Sequence, residues 1–502
     1  MNIPPNQSKK QVLYDGSCPM CSSFVGRIED SSQKDKFENI DSTTNILPQE
    51  LTQEDVCREI HVVDGGTIYK NAAAILNILE EYPEMKSWVR LARLPFVWPL
   101  LPIGYRVVAL YRHLIFGPAS RIFWLKVITG LGLISAFLLS CKLWLSSRFY
   151  PLTPILADLP RLPFPLDYGI FLFSIALLAA IVLKRRPQKL IFAFISCALV
   201  LTALDQSRWQ PWFYQYSFML AALGLYSWDY RDNKKNAAAL NTCRLLVASV
   251  YLYSGLQKAN QAFVVDLFPW LIDPIAKLLP AHLYLPLAML GFLVPFFEIG
   301  VGVGLLTQTY RNKAVVLAVL LHLFILFLLG PFGHNWNSVV WPWNVVMALS
   351  VVLLFWKSEQ LSFKDIVLTK NSWLHRLVLV LFGILPLLSF VNLWDAYLSS
   401  ALYSGNIRSA VLYVNESVID KLPAEVRRYA TKTADNKSIV NIDQWSFGEL
   451  NVPSYPETRI YKNIAKYICR YAANASDVVL TLRAGPALIN KEGPATYDCS
   501  SL

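Results

Sequence analysis

Two cysteines near the amino terminus have the type and spacing of a redox pair. Cys18 and Cys21 follow a strand-like segment at residues 11–14 and precede a helical run at residues 22–28. A cysteine at a helix start lies beside unpaired N–H groups and the positive end of the helix dipole, which stabilise a thiolate. A second cysteine one turn later is placed to resolve a mixed disulfide. We therefore predict that Cys18 is an exposed nucleophile and Cys21 a buried resolving thiol.

Two other interpretations of this cysteine pair stay open. A CxxC sequence can be half of a zinc site, which needs further ligands nearby. Cys57 and His61 form an isolated C-x3-H, and no second CxxC follows in the amino-terminal region. The pair can also be two inert thiols. Redox chemistry is the interpretation that we favour, and no metal is expected.

Ionisable residues inside apolar segments form a second candidate site. Lys258 ends an apolar run at residues 239–258, and Glu298 and His322 lie within later apolar runs. Ionisable groups in such segments are energetically expensive and usually face a cavity. Gly255 lies near the same helix face as Lys258 and lets a neighbouring helix or a ligand approach the lysine closely. We predict that Lys258, Glu298 and His322 line an outward-facing polar cavity, with Lys258 as a base.

Each of these three residues also has a structural interpretation. Lys258 can extend its ammonium group to the lipid headgroups as an anchor. Glu298 can make a structural hydrogen bond, and His322 can pack as a neutral side chain. Substitution of Lys258 by arginine separates the first alternative from catalysis, because arginine anchors equally well but cannot act as a base.

The composition excludes the possibility that the whole chain is a soluble globular protein. The 502 residues are 54% apolar and 16% charged, with a mean hydropathy of +0.38, whereas about 25% of residues are charged in soluble domains. The excess positive charge lies in residues 119–394, which hold 22 Lys and Arg against 10 Asp and Glu. These basic residues lie between apolar segments and do not form a polar face, so a nucleic-acid partner is not expected.

Composition divides the chain into three parts. Residues 1–118 are polar enough for a small soluble domain, and residues 1–12 lack the apolar core of a signal peptide, so this part is expected in the cytoplasm. Residues 119–394 hold apolar segments of membrane-spanning length, and residues 395–502 are polar again. We predict a mainly α-helical membrane protein with about nine transmembrane helices, at roughly 123–144, 168–183, 190–204, 211–228, 239–258, 283–306, 313–329, 339–356 and 374–394.

The charges of the connecting segments predict the orientation in the membrane. With the amino terminus inside, the inner connections hold 13 Lys and Arg and the outer connections hold five, which is the positive-inside pattern. An odd number of spans then puts residues 395–502 outside. The predicted protein is therefore multi-pass, with a cytoplasmic amino terminus, an extracytoplasmic carboxyl terminus and the lipid bilayer as a partner.

The extracytoplasmic part is predicted to be an α+β domain. It contains strand-like segments at residues 409–414 and 478–482 and an amphipathic helix near residues 459–471. Cys469 and Cys499 are the only two cysteines in this part. Because the outer compartment is oxidising, we predict a disulfide between them.

Residues 14–21, with the sequence YDGSCPMC, resemble the YDGxCxxC signature of the DCC family of thiol-disulfide oxidoreductase-like proteins. The segments at 59–66 and 72–79 are similar to the rest of that domain, and the resemblance covers about residues 10–115. It implies a thioredoxin-like fold for the amino-terminal part and a thiol or disulfide substrate.

The same resemblance implies roles for three residues. Cys18 corresponds to the attacking thiol and Cys21 to the resolving thiol. Asp15 corresponds to a nearby acid. The resemblance identifies no particular substrate.

Residues 251–259, with the sequence YLYSGLQKA, resemble the YxxxGxxKL stretch of the HTTM (horizontally transferred transmembrane) and vitamin K-dependent γ-carboxylase family. In that family the matching lysine deprotonates a hydroquinone, so the resemblance implies this role for Lys258 and a quinone or quinol as cofactor. The segments at 205–220 and 333–337 are also similar to the family, and the resemblance covers about residues 119–500.

One position departs from the carboxylase pattern. Where the carboxylases carry an Asn-His pair, this chain has Gln215 and Tyr216, and no histidine lies between His113 and His282. Carboxylation of glutamate is therefore not expected. Quinol binding at Lys258 remains compatible with the sequence, because a desolvated lysine can act as a base without the missing histidine.

Two functions from different classes follow. The first is a membrane-anchored enzyme that exchanges disulfides at its CxxC pair and whose helical bundle binds a quinol or a lipid-like reductant. The second is a non-enzymatic membrane assembly or transport-related protein with a vestigial DCC domain and an outer domain that binds a protein partner. The intact CxxC favours the first. Because the CxxC is predicted inside and Lys258 outside, the two sites are not expected to act directly on one substrate.

Overall fold

The chain divides into two compact units, Met1–Trp124 and Leu125–Leu502. The domain boundaries predicted at residues 118 and 394 rest on changes in amino-acid composition, and they remain predictions. The computed structural model describes residues 9–16, 18–44, 47, 51–115, 120–156, 159–184, 186–225, 233–358, 360–369, 372–433, 437–485 and 493–502.

A four-stranded sheet forms the centre of the first unit, in the order β2-β1-β3-β4. Strand β2 runs parallel to β1, whereas β3 is antiparallel to both β1 and β4. Val12 and Leu13 of β1 have no solvent exposure, as expected for a strand in the middle of a sheet with both faces covered. The strands are β1 (Lys10–Tyr14), β2 (Phe37–Asp41), β3 (His61–Asp64) and β4 (Thr67–Lys70).

Helices complete this unit, and the prediction of an amino-terminal α/β domain is confirmed. Helix α1 connects the parallel strands β1 and β2, since parallel neighbours need a crossover. Val25 and Ile28 of α1 pack with Val62 of β3 and Ile78 of α3 in one buried cluster. The helices are α1 (Pro19–Glu29), α2 (Gln53–Arg58), α3 (Asn71–Leu79), α4 (Lys86–Ala92) and α5 (Leu100–Ile115).

Helices, most of them apolar, make up most of the second unit. They begin with α6, which starts at the end of the first unit, and they are α6 (Ser120–Leu139), α7 (Cys141–Trp144), α8 (Leu166–Leu183), α9 (Gln188–Leu204), α10 (Pro211–Gly224), α11 (Asn233–Lys258), α12 (Phe268–Ala276), α13 (Tyr284–Met289), α14 (Val294–Leu306), α15 (Arg311–Leu329), α16 (Val340–Phe355), α17 (Phe363–Val367) and α18 (Trp373–Val378). After α18 the helical path continues to Val391 with altered hydrogen-bond spacing.

Several of these helices are long and apolar enough to span a membrane. Within the described residues, four qualify singly, and a pair that bends by 41° between Phe292 and Val294 would make a fifth. The shorter helices α9 and α16 are also apolar. The predicted count of nine spans is not confirmed by this measure and remains a prediction. The four single helices are Arg121–Leu139, Leu166–Leu183, Arg311–Leu329 and Trp373–Val391.

The carboxyl-terminal part of the second unit contains a five-stranded antiparallel sheet in the order β6-β7-β5-β8-β9. Its strands and helices include segments at each of the positions predicted from the sequence. Helix α22 buries Ile460, Ile464 and Ile468, which share one face at a spacing of four residues. The elements are β5 (Ser409–Asn415), α19 (Glu416–Ile419), α20 (Ala424–Arg427), β6 (Ala430–Lys432), β7 (Lys437–Val440), α21 (Ile442–Leu450), α22 (Thr458–Cys469), β8 (Val478–Arg483) and β9 (Ala495–Asp498).

Buried polar contacts join this sheet region to the helices of the same unit. The Glu449 carboxylate accepts the backbone N–H groups of Phe149 and Tyr150 at 2.7 and 2.8 Å. The Asn451 side chain donates to the carbonyl of Leu139 and to Ser338 Oγ at 3.0 and 2.8 Å. These contacts explain why residues 125–502 form one compact unit.

Glu457, just before α22, gives the second unit a predicted pH dependence. Its Oε1 accepts the N–H of Ala396 at 3.0 Å. Burial, with the Asp395 carboxylate as the second cause, raises the pKa of Glu457 to about 7. A carboxyl group whose pKa is raised on folding favours the folded state at low pH, and this contribution is lost as the pH rises from about 4.5 through 7.

We expect Glu457→Gln to stabilise the protein at pH 8 but not at pH 5, because glutamine keeps the hydrogen bond without the buried charge. After a discount for partial solvent exposure, the gain at pH 8 is about 1–3 kcal/mol. Thermal unfolding of the full chain in detergent at both pH values measures it. Glu425→Gln, at an exposed position of α20, is the control, and a difference that does not change with pH would contradict the expectation.

Candidate functional site

The predicted redox pair lies at the start of α1. Cys18 immediately precedes the helix with an extended backbone (φ −98°, ψ 110°), and Pro19 is its first residue. Proline suits this position because its missing N–H would have no helical partner there. The N–H of Cys18 donates to the carbonyl of Asp15 at 3.1 Å, and the N–H of Ser22 donates to the carbonyl of Cys18 at 3.0 Å. Cys21 follows Cys18 by one turn, as the spacing predicts.

The exposure of the two thiols differs from the prediction. Cys18 is 0% exposed and Cys21 is 6% exposed, so the prediction that Cys18 is exposed is wrong. The hydrogen bond from Cys18 to Asp15 closes a tight turn in front of the helix, and Asp15 is itself buried. A helix start fixes the position of a cysteine along the chain, but the surrounding domain decides whether solvent reaches it. Access to Cys18 therefore requires a local opening of the structure around it.

Asp41, at the end of β2, holds the turn before Cys18. Its Oδ1 accepts the N–H of Gly16 at 3.1 Å and both the N–H and the hydroxyl of Thr43 at 2.8 and 2.7 Å. A Cβ atom on Gly16 would lie 2.0 Å from the Asp41 carboxylate. The glycine is therefore needed for this close approach. Sequence analysis missed Asp41, although the end of a strand parallel to β1 is a position that faces the same loop.

Lys258 and Glu298 form a buried ion pair between α11 and α14. The Lys258 Nζ lies 2.9 Å from Glu298 Oε2 and donates to Ser254 Oγ at 2.5 Å. Only 7% of Lys258 and 4% of Glu298 is exposed. Opposite charges removed from water must be paired and hydrogen-bonded, and this pair meets both conditions. The ammonium group is thus bound within the bundle and is not extended as an exposed anchor.

Glycines allow α11 and α14 to approach closely enough for this pair. A Cβ atom on Gly255 would lie 2.7 Å from the Pro295 carbonyl oxygen and 2.8 Å from the Ile299 nitrogen. Gly302 of α14 is similarly close to the backbone of Leu252. Glu298 lies between Pro295 and Ile299 on α14, so the contact at Gly255 sets its distance from Lys258.

We expect Gly255→Ala to separate α11 from α14, because the added methyl group would meet backbone atoms that cannot rotate away. Overpacking of this kind costs about 1–3 kcal/mol and should weaken the Lys258–Glu298 pair. Thermal unfolding in detergent measures the loss. Gly300→Ala on α14 is the matched control, since a Cβ atom there has open space around it. Equal effects of the two substitutions would contradict the expectation.

His322 of α15 connects two other side chains. Its Nδ1 lies 2.8 Å from Asn344 Oδ1 and its Nε2 lies 2.5 Å from the Tyr251 hydroxyl. The Asn344 Nδ2 donates to the Val340 carbonyl, which orients the amide so that its oxygen faces the histidine. His322 Nδ1 must then be the donor, and in a neutral His322 the Nε2 atom accepts a hydrogen bond from the Tyr251 hydroxyl.

One cavity brings these residues together. Its volume is about 160 Å³, and Lys258, Glu298, His322 and Tyr251 all line it. The three residues predicted to share a cavity therefore do so. The prediction that this cavity is polar is wrong for most of its wall, which consists of aliphatic and aromatic side chains, including Phe263, Phe268, Leu271, Leu328 and Phe382.

Tyr214 of α10 adds a polar group that sequence analysis missed. Its ring lines the cavity and stacks on Phe382 at a centroid distance of 4.4 Å. Its hydroxyl is buried and makes no hydrogen bond to any described residue. Tyr251 and Ser254 were also missed, although both lie on the Lys258 face at helical spacing. Nothing in the local sequence connects Tyr214 or Asn344 to Lys258.

The structure also contains the Cys469–Cys499 disulfide, which joins the end of α22 to the residue after β9. The two Cα atoms are 5.7 Å apart, within the usual range for a disulfide. The side chain of Cys57 lies outside the described part of the chain. Within that part, no group of three or more His, Cys, Asp or Glu residues could hold a metal ion.

A dithiol at the helix start of an α/β domain is the arrangement used for thiol-disulfide exchange. Residues 12–118 match the family model described as DCC1-like thiol-disulfide oxidoreductase. This match confirms the DCC resemblance, and it supports a thiol-disulfide oxidoreductase-like role with thiols or disulfides as substrates. No curated protein and no solved structure matches the chain. The HTTM and carboxylase resemblance of residues 119–500 is not confirmed.

Proposed function

We propose that this protein is a membrane-embedded thiol-disulfide oxidoreductase that uses Cys18 and Cys21. The observation that carries the proposal is the position of Cys18 directly before α1 and of Cys21 in its first turn, within the segment that matches the DCC1-like family model. The β1-α1-β2 crossover, followed by the β3-β4 hairpin and α3, supports a thioredoxin-like fold for this unit. No acidic residue occurs in the first turn of α1 to oppose a thiolate.

The exchange proceeds in two steps. The Cys18 thiolate attacks one sulfur of a substrate disulfide, forms a mixed disulfide and releases the other sulfur as a thiolate. Cys21 then loses its proton and attacks Cys18 Sγ, which breaks the mixed disulfide and releases the second substrate thiolate. Two electrons pass from the cysteine pair to the substrate, and a second dithiol restores the pair by the reverse steps.

The reduction potential of the cysteine pair tests this function. The full chain in detergent is equilibrated with mixtures of reduced and oxidised glutathione, and the state of Cys18 and Cys21 is read by alkylation and mass spectrometry. A potential in the range of cellular dithiol enzymes, about −120 to −270 mV, supports exchange. A pair that stays reduced or oxidised throughout would favour the alternative, a non-enzymatic membrane protein with a vestigial domain.

The membrane location is supported by the helices and by basic residues at their ends. The Lys126 ammonium donates to the carbonyls of Val182 and Lys184 at the end of α8. The Arg311 guanidinium donates to the carbonyl of Leu305 at the end of α14. Cations at helix carboxyl ends are favourable, and both residues lie at the side that the positive-inside pattern places in the cytoplasm.

We expect reporter fusions to place the amino-terminal unit inside and the carboxyl-terminal sheet outside. Fusions after Lys189, Lys235 and Lys313 should give a cytoplasmic signal, and a fusion after Leu402 should give an extracytoplasmic signal. The reason is the excess of basic residues in the inner connections. A cytoplasmic signal after Leu402 would contradict the nine-span topology while leaving the thiol chemistry untouched.

The cavity at Lys258 fits the ring of a quinone or quinol. An apolar cavity of about 150 Å³ is large enough to hold benzene, and this one measures about 160 Å³. The Tyr214 hydroxyl, buried and without a described partner, is a donor for a ligand oxygen. The Lys258–Glu298 pair and the Tyr251 hydroxyl supply further hydrogen-bonding groups on the same wall.

The residues of the cavity have separate roles in this proposal. When bound, a quinol would present two ionisable hydroxyl groups at the cavity wall. Lys258 and Glu298 hold or accept a proton at the cavity wall, Tyr251 and His322 pass one along their hydrogen bond, and the apolar side chains exclude water. Because Lys258 is predicted on the outer side, this cavity works separately from the cysteine pair.

Quinone binding is tested with a short-chain benzoquinone added to the purified full chain in detergent. Tyr214→Phe should weaken binding by about 3- to 10-fold, the value of one hydrogen bond. Tyr310→Phe at an exposed position is the matched control and should bind normally. If Tyr214→Phe binds the benzoquinone with unchanged affinity, or if no saturable binding occurs, quinone binding is refuted. The proposal of disulfide exchange is not affected by either result.

A further inference from the structure

A second, larger cavity lies beside helix α22. It has a volume of about 570 Å³ and is bounded by α22, by residues 151–155 and 159–162 and by the end of α9. Neither candidate site described above contributes a residue to it. Its polar wall is basic, and no Asp or Glu is present among the described residues that line it. The cations are Arg161, Arg208, Arg459, Lys462, Lys466 and Arg470.

Two of these cations already have strong partners. The Arg208 guanidinium donates to three backbone carbonyls, those of Leu143, Trp144 and Leu201. The Arg459 guanidinium is paired with the Asp395 carboxylate. Both guanidinium groups are therefore bound by other parts of the protein, and they add little to the attraction of a ligand.

The other four cations have no ion pair with any described carboxylate. Lys462 lies over the Tyr497 ring at 3.6 Å from its centroid, and Lys466 and Arg470 are exposed. Lys462 and Lys466 of α22 and Arg470, directly after it, recur every four residues and so share one helix face. Arg161 lines the same cavity from another segment. Four like charges around one cavity repel one another, and an anion between them relieves that repulsion.

The remaining wall of the cavity is apolar. Pro154, Ile155, Leu159, Leu162 and Leu204 line it. Ile155 is 55% exposed, and Phe164 and Leu166, at the start of the apolar helix α8, are 75% and 51% exposed. A ligand that fills this cavity therefore meets both cationic and apolar side chains.

We propose that this cavity binds the phosphate headgroup of an anionic phospholipid. The phosphate lies among Arg161, Lys462, Lys466 and Arg470, and the acyl chains extend over Ile155 toward α8. The inference goes beyond disulfide exchange and quinone binding, and it rests only on the proposed membrane location, which the reporter fusions test separately. A soluble phosphate compound would satisfy the cations but not the apolar wall.

The test compares two lipids and one free anion on the purified full chain in nonionic detergent. The probes are phosphatidylglycerol, phosphatidylcholine and inorganic phosphate, and the readouts are lipid retained in native mass spectrometry and the shift of the unfolding temperature. The variant is Lys466→Gln with Arg470→Gln, both at exposed positions that the fold does not need. The control is Lys421→Gln with Lys437→Gln, which removes the same charge from exposed positions outside the cavity.

The cavity variant should bind phosphatidylglycerol about 30-fold more weakly than the wild type, because two cations are lost near an anionic headgroup. The control should bind like the wild type, and Ile155→Ser should weaken phosphatidylglycerol without affecting inorganic phosphate. Equal losses in variant and control would show nonspecific attraction and overturn the proposal. Phosphatidylcholine that binds as tightly as phosphatidylglycerol would also overturn the proposal. Inorganic phosphate that binds as tightly as phosphatidylglycerol would overturn it in favour of a soluble phosphate ligand.

Discussion

Cys18→Ser is expected to lower the rate of disulfide reduction by the full chain at least about 100-fold, to the uncatalysed background. The attacking thiolate must be the cysteine at the start of α1, beside the positive end of the helix dipole, and Cys18 holds that position. Serine preserves the turn with Asp15, because that hydrogen bond uses only backbone atoms. The rate is measured with a small disulfide substrate and a dithiol donor, in detergent.

Cys21→Ser is expected to give a different result, which assigns the two roles. Without the resolving thiol, the mixed disulfide at Cys18 should accumulate and be found by mass mapping after an acid quench. Cys141→Ser, at an exposed cysteine of α7, is the control and should exchange normally. A full rate in Cys18→Ser, or a mixed disulfide that accumulates only in Cys18→Ser, would reverse the assignment.

Removing one partner of the buried ion pair is expected to have the largest effect on stability. Lys258→Met leaves the Glu298 carboxylate in an apolar cavity without its counterion, and a loss of this kind costs about 3–5 kcal/mol. Glu298→Gln leaves the Lys258 ammonium in the same condition. The free energy of unfolding in detergent, or the abundance of the protein in membranes, measures both.

The double variant Lys258→Met with Glu298→Gln should recover part of this loss, because no isolated charge then remains buried. The coupling free energy of the two substitutions measures the interaction between the two side chains and excludes packing effects that each substitution has on its own. Lys258→Arg should keep the charge pair and the abundance but lose any reaction that needs a neutral lysine. Additive single losses would show that the two side chains do not depend on each other, and full function in Lys258→Arg would refute Lys258 as a base.

Local sequence predicted much of what surrounds the cysteines. The strand-like segment at residues 11–14 and the helical run after CxxC correspond to β1 and α1, because both depend on short-range sequence patterns. The burial of Cys18 could not be predicted in this way. It depends on the fold around the turn, including Asp41 at the end of a strand more than twenty residues away.

The cavity at Lys258 shows the same limit. Gly255 indicated a close helix contact, and Glu298 lies on the helix that makes it. The spacing of Tyr251 and Ser254 from Lys258 was sufficient to place them on the same face. Tyr214 and Asn344 come from other helices. Their position at the cavity depends on tertiary packing, which a local sequence pattern does not predict.

Hydropathy alone does not identify every helix of a membrane-embedded bundle. Hydropathy finds helices that are apolar along their whole length, and four helices in the described residues meet this condition singly. Helix α11 contains buried Asn241 and Arg244, whose polar groups bond to neighbouring segments. Such a helix can be central to a bundle and still score poorly on hydropathy.

The pairing of Lys258 with Glu298 has an electrical consequence. Together the two side chains carry no net charge, and a neutral ligand that enters the cavity adds none. Moving one elementary charge through the membrane field changes the energy by about 2.3 kcal/mol per 100 mV, but here no net charge moves when the ligand binds. Occupancy of the cavity should therefore be independent of the transmembrane voltage, so energised and de-energised vesicles should retain the same amount of ligand.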